Sequence, residues 1–156
     1  MRSPHTINGR LFAGIELNGE TASELRLYAL AAATVDVPVI AVTGDSTVCA
    51  EAEKLIPGVM TVHTLSGHGP SVRSIAPSSS VQLIEEAVCR AVASDRPLPL
   101  ALPDHFKLNV EFRHGAEAYA RSFYPGAKLI SDTEVELESD DYLAILTFLR
   151  FASKYS

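Results

Sequence analysis

The chain has 156 residues, 47% of them hydrophobic, enough to bury one core, and a single domain over 1–156 is expected. A formal charge of −6 argues against a nucleic-acid partner, because such binders need a basic face. No segment approaches ~18 consecutive apolar residues, so no membrane partner is expected, and the opening Met-Arg-Ser-Pro-His-Thr lacks the apolar run of a signal peptide.

Leu11 to Leu17 predicts a first strand, closed by Asn18-Gly19, a strong turn signal because Gly carries positive φ without steric cost. Thr21 and Glu24 have the spacing of a capping box, opening a helix from about Thr21 to Thr34. Leu25, Tyr28, Ala29 and Ala32 lie on one face of it. Val37 to Val42 reads as a buried strand leading through Thr43-Gly44-Asp45-Ser46 into a helix that Asp45 or Ser46 caps. That helix reaches Leu55 and stops at Pro57-Gly58. Val59 to Val62 predicts another strand of the same sheet, and Leu65 to Ser71 is the most loop-like stretch. Pro77 starts a helix with Val81, Ile84, Val88 and Ala91 as its inner face. Cys49 and Cys89 fall within predicted helices and read as buried thiols, suited to a reducing cytoplasm.

Residues 96–103 hold three prolines and predict an extended crossing segment. Phe106, Leu108, Val110 and Phe112 then alternate with polar residues, as in a strand with one wet face. His114 to Phe123 predicts a helix stopped by Tyr124-Pro125-Gly126. Val135 and Leu137 alternate with Glu134, Glu136 and Glu138, an edge-type strand protected by charge. Asp140 or Asp141 caps a last helix whose stripe is Tyr142, Leu143, Leu146 and Leu149. This order predicts an α/β fold, a three-layer α/β/α-like domain with a mixed sheet.

The five histidines (His5, His63, His68, His105 and His114) form no His-Glu-x-x-His pair, and no Cys-x-x-Cys exists, so no self-contained metal site is legible. Gly44-Asp45-Ser46 has the form of a serine-esterase turn, but no Asp-x-x-His follows to supply the base. Capping accounts for it, with an anion at the helix start as a weaker reading. A helix cap and a charged strand likewise account for Asp140-Asp141 and the glutamates.

Asn18-Gly-x-x-x-Ser-Glu24-Leu-x-Leu, then Asp36-Val-Pro-Val and Thr43-Gly-Asp45, resemble the core of the zinc-dependent D-aminopeptidase family of bacterial dipeptide-transport operons. The likeness runs on through Leu55-Ile-Pro-Gly-Val59, the Pro77 helix start, Leu108-x-Val-Glu-Phe112 and Pro125-Gly126. It implies a metallo-aminopeptidase that holds two zinc ions per site and removes amino-terminal residues from short D-amino-acid peptides. Glu24 matches the family's glutamate zinc ligand, and His5 in His5-Thr6 matches its catalytic histidine. A carboxylate suits zinc, and an imidazole moves protons at neutral pH.

Departures accompany the matches. Ser23 replaces a Gly, Tyr28 an Asn, Thr64 a Lys and Gly69 an Arg. Family chains are nearly twice this length, and one carboxylate cannot hold two zinc ions. The resemblance is therefore read as one to the carboxy-terminal half only, with the rest of the metal site on a complementary amino-terminal half. A non-catalytic binding or assembly relative is the alternative. The implied partners are a small peptide substrate and further copies of the chain in a homo-oligomer.

Overall fold

The computed structural model describes residues 7–68 and 71–154. In chain order the elements are β1 (Phe12–Leu17), β2 (Glu20–Thr21), α1 (Glu24–Ala33), β3 (Ala41–Asp45), α2 (Ser46–Leu55), β4 (Met60–His68) and β5 (Ser71–Ser74). There follow α3 (Pro77–Ala93), β6 (Phe106–Phe112), α4 (Gly115–Arg121), β7 (Lys128–Leu129), β8 (Glu134–Ser139) and α5 (Tyr142–Ser153). The protein is a mixed α/β domain with five helices among the described residues, consistent with a three-layer α/β/α fold. The strands form two sheets, a five-stranded antiparallel one and a three-stranded mixed one. Each sheet belongs to one of two compact units, 1–31 with 102–156 and 32–101.

The first unit is built on a five-stranded antiparallel sheet in the order β2-β1-β6-β8-β7. β6 is central, and its predicted alternation holds, with Phe106, Leu108, Val110 and Phe112 all buried. Leu108 pairs with Leu17 on one side and Leu137 on the other, and Val110 with Ile15 and Val135, so one apolar layer crosses three strands. In β1 the inward positions step from Phe12 to Ile15, because a bulge between Phe12 and Gly14 shifts the alternation. Phe148, Ile145 and Leu149 of α5 are fully buried, and the Tyr142 hydroxyl donates to the Leu27 carbonyl at 2.8 Å, tying α5 to α1.

Two expectations change in this unit. β8 is not an edge strand: β7, only two residues long, pairs outside it. Two of its glutamates are matched by cations, with Lys107 Nζ 2.8 Å from Glu136 and 3.6 Å from Glu138, and Lys128 nearby. The buried stripe of α5 is Tyr142, Ile145, Phe148, Leu149 and Ala152, leaving Leu143 exposed, because Ile145 and Phe148 compete successfully for the core.

In the second unit β3 pairs in parallel with β4 through α2, and β4 returns antiparallel to β5. Asp45 caps α2 as expected, its carboxylate accepting from Thr47 N at 2.8 Å and Val48 N at 2.9 Å. The strand predicted at Val37 begins only at Ala41, and β3 is half-exposed rather than buried. Pro38 has no N–H to give a ladder, which disfavours pairing there. Within the stretch expected to be a loop, Leu65 to His68 end β4 and Ser71 begins β5, which pairs antiparallel with β4 and is fully exposed, with no apolar alternation to betray it. In α3 the inward residues are Ala87 and Ala91 with Ile84 half-buried, while Val81 and Val88 are exposed. Cys49 is buried, as expected, but Cys89 is exposed. The segment 96–103 has no regular structure, in keeping with its prolines.

Candidate functional site

The Asn18-Gly19 pair does more than end a strand. Both residues have positive φ, 53° and 78°, the backbone of a two-residue hairpin turn joining β1 to β2. Asn18 also clips this turn to β6: its Oδ1 accepts from Lys107 N at 2.7 Å and its Nδ2 donates to the His105 carbonyl at 3.0 Å. The hairpin returns the chain directly into α1, whose first residue is Glu24.

The expected capping box is not formed. Thr21 lies in β2, and Ser23 caps α1 instead: its Oγ accepts from Arg26 N at 3.1 Å and its carbonyl from Leu27 N at 3.0 Å. Glu24 is thus one position into the helix and cannot reach back as a capping-box glutamate would. Its half-buried carboxylate stands in the first turn, where the helix dipole favours negative charge. Among the described residues it makes no hydrogen bond or ion pair. Arg26, two residues on, pairs with Glu20.

Tyr28 lies one turn beyond Glu24 on the same face of α1 and is 62% exposed. Beside it runs a cleft of about 260 Å³ between α1 and α5, lined by Ile7, Leu27, Tyr28, Leu146, Leu149, Arg150 and Ser153. The sequence pattern does not reveal this cleft, since periodicity places Leu146 in the core stripe and gives Arg150 no role, whereas Leu146 is half-buried on the cleft wall. His5 lies outside the described residues, two positions before Ile7 in the sequence.

The remaining candidates are structurally engaged or apart. His105 Nδ1 lies 2.6 Å from Asp140 Oδ1, and Asp141 accepts from Leu143 N at 2.9 Å as the cap of α5. His63 and His114 are exposed. Thr64 Oγ1 donates to the Gly44 carbonyl at 3.2 Å, while Gly69 lies outside the described residues. Gly44 is needed for packing, because a Cβ there would meet Val48 Cγ1 at 2.6 Å. The Asp45 carboxylate already occupies the amides of Thr47 and Val48, so cap and packing together account for Gly44-Asp45-Ser46.

The chemistry of the donor set tests the implied zinc. Among the described residues no group of three or more His, Cys, Asp and Glu side chains can hold a metal ion. A catalytic zinc takes about three protein ligands, so the described residues do not by themselves fit it, and no catalytic step is derived through it. Burial pushes the Cys49 thiol and the Tyr142 phenol above their ordinary pKa values, which keeps both neutral near pH 7.

The family model for D-aminopeptidase (Peptidase_M55) matches residues 2–151. A D-aminopeptidase of Bacillus subtilis (strain 168) is 32% identical over 149 residues, covering 90% of this chain and 54% of that protein. A solved structure described as the Zn-dependent D-aminopeptidase DppA from Bacillus subtilis, a self-compartmentalizing protease, superposes with a TM-score of 0.81 at 29% identity. That alignment covers 94% of this chain and 56% of the other, so the chain spans about half the length of the relatives it matches.

These matches correct the reading as a carboxy-terminal half only. The family model is met along nearly the whole chain, from before β1 to within α5. A complementary amino-terminal half, an enzyme that depends on one and a metal site divided between two chains are therefore not carried forward. No helix among the described residues is long and apolar enough to cross a membrane.

Proposed function

This chain belongs to the D-aminopeptidase family, and from that premise we propose that it acts as a zinc-dependent aminopeptidase on short D-amino-acid peptides. Glu24 is the metal-ligating carboxylate in this reading, and His5 is the catalytic histidine, whose imidazole accepts and returns a proton near neutral pH. The observation that carries it is the Glu24 carboxylate itself. It stands at the start of α1, relieved of capping by Ser23, at the position where the resemblance calls for a ligand.

The same proposal takes 1–156 as a single cytoplasmic domain that assembles into a homo-oligomer, supported by the solved relative's description as self-compartmentalizing. A light-scattering mass equal to one chain would count against assembly.

The test is elemental analysis of the purified chain together with hydrolysis of short D- and L-peptides. Zinc that copurifies and turnover selective for D-peptides are expected, both lost in Glu24→Gln while the circular dichroism spectrum stays unchanged. Zinc and turnover indifferent to Glu24→Gln would remove the assignment. Absence of both from the unaltered chain would leave a binding or assembly relative.

A further inference from the structure

We propose that the cleft between α1 and α5 binds the apolar side chain of a small carboxylate, with the Arg150 guanidinium as partner of the carboxylate. Leu27 and Leu149, both 1% exposed, give the cleft an apolar floor, and the half-buried Ile7 and Leu146 flank it. The exposed Tyr28 ring forms one wall, an aromatic surface already turned to solvent in the free protein. Apolar surface of this kind is stabilised by covering it, and a concave patch covers more of a ligand than a flat one.

The polar end of the cleft fixes the class of ligand. Arg150 is exposed and, among the described residues, its guanidinium makes no hydrogen bond or ion pair, whereas Arg26 and Arg121 in the same unit are paired with Glu20 and Glu117. The Ser153 hydroxyl, one turn beyond Leu149, donates to the Arg150 carbonyl at 3.1 Å and does not compete for an anion. An unengaged guanidinium beside an apolar pocket selects a ligand that is apolar at one end and anionic at the other, and its planar fork suits a carboxylate. The volume sets the size. About 260 Å³ is slightly below the ~300–1,000 Å³ of sites for drug-sized ligands, so the occupant is one aliphatic side chain with its carboxylate rather than a whole peptide.

Hexanoate and 1-hexanol separate the two contributions, because they share a chain and differ in charge. In an amide chemical-shift titration of the full chain, hexanoate should move the resonances of Tyr28, Leu146, Arg150 and Ser153 and bind more tightly than hexanol. Arg150→Gln should weaken hexanoate about tenfold and leave hexanol unchanged, since it removes a charge-assisted hydrogen bond at an exposed position. Leu146→Trp, which fills the cleft, should abolish both while the spectrum stays that of a folded protein. Equal affinity for the two probes, indifference of hexanoate to Arg150→Gln, or shifts confined to other residues would overturn the proposal. The titration involves neither metal nor turnover, so its failure is distinct from failure of the aminopeptidase reading.

Discussion

Replacing Asn18 by Ala removes three things at once: two side-chain hydrogen bonds onto the start of β6 and a residue type that tolerates positive φ. The bonds run to Lys107 N at 2.7 Å and from the amide to the His105 carbonyl at 3.0 Å. At ~1 kcal/mol each, their loss destabilises by about 2 kcal/mol. The backbone φ of 53° adds a further ~1 kcal/mol for Ala, whose Cβ crowds the carbonyl in the left-handed region. Asn18→Gly loses the same bonds but meets no such crowding. The expected losses are therefore about 3 kcal/mol for Ala and about 2 kcal/mol for Gly, the former lowering Tm by roughly 6–12 °C in a chain of this size. Urea unfolding of the three proteins side by side measures both. If Ala proves no worse than Gly, or costs less than ~1 kcal/mol, the account of this turn as a clip held by geometry and hydrogen bonds is wrong.

Three further outcomes follow from the same structure. Because Ser23 rather than Thr21 caps α1, Ser23→Ala should cost ~1 kcal/mol in urea unfolding and Thr21→Ala almost nothing, and the reverse order would restore the capping box. A maleimide should label Cys89 rapidly and Cys49 only on unfolding, since Cys49 is buried and its thiol is held neutral, as mass spectrometry of the digested adduct would show. Stability should fall as pH rises above the ordinary tyrosine value of 10.0, because folded Tyr142 keeps a proton that the unfolded chain releases. The slope from this group is up to ~1.4 kcal/mol per pH unit. Lys107, raised by its hydrogen bond to Glu136, acts in the same direction, so Tyr142→Phe should flatten the decline without abolishing it, and an unchanged slope would discount Tyr142.

The sequence is most legible where one periodic pattern decides the environment. β6 alternates cleanly, and the structure places it in the middle of its sheet with each apolar residue inward. The cap of α2 is equally local, since Asp45 bonds the amides two and three residues ahead. Other elements depend on partners the pattern does not name. Thr21 and Glu24 satisfy a capping motif, but hairpin pairing of Thr21 with Glu16 removes it from the helix. The inward face of α3 departs from its pattern because Ala87 and Ala91 are buried while the larger Val81 and Val88 are exposed. The site shows the same division: Glu24 was identifiable from its motif, whereas the cleft requires α1 and α5, more than a hundred residues apart, to be brought together by Tyr142. Family membership is spread along the chain rather than concentrated in one motif, since the match runs from 2 to 151 while the chain spans about half the length of the relatives it matches.

The five-stranded sheet ends on both sides in a two-residue strand, Glu20–Thr21 at one margin and Lys128–Leu129 at the other. Each of these strands offers only ~7 Å of backbone and covers two residues of the longer strand inside it, Glu16 and Leu17 of β1 or Val135 and Glu136 of β8. The remaining margin of each inner strand, Phe12 to Ile15 in β1 and Leu137 to Ser139 in β8, is then the backbone that solvent or another chain meets, so the short outer strands blunt the sheet at its turns rather than along its length.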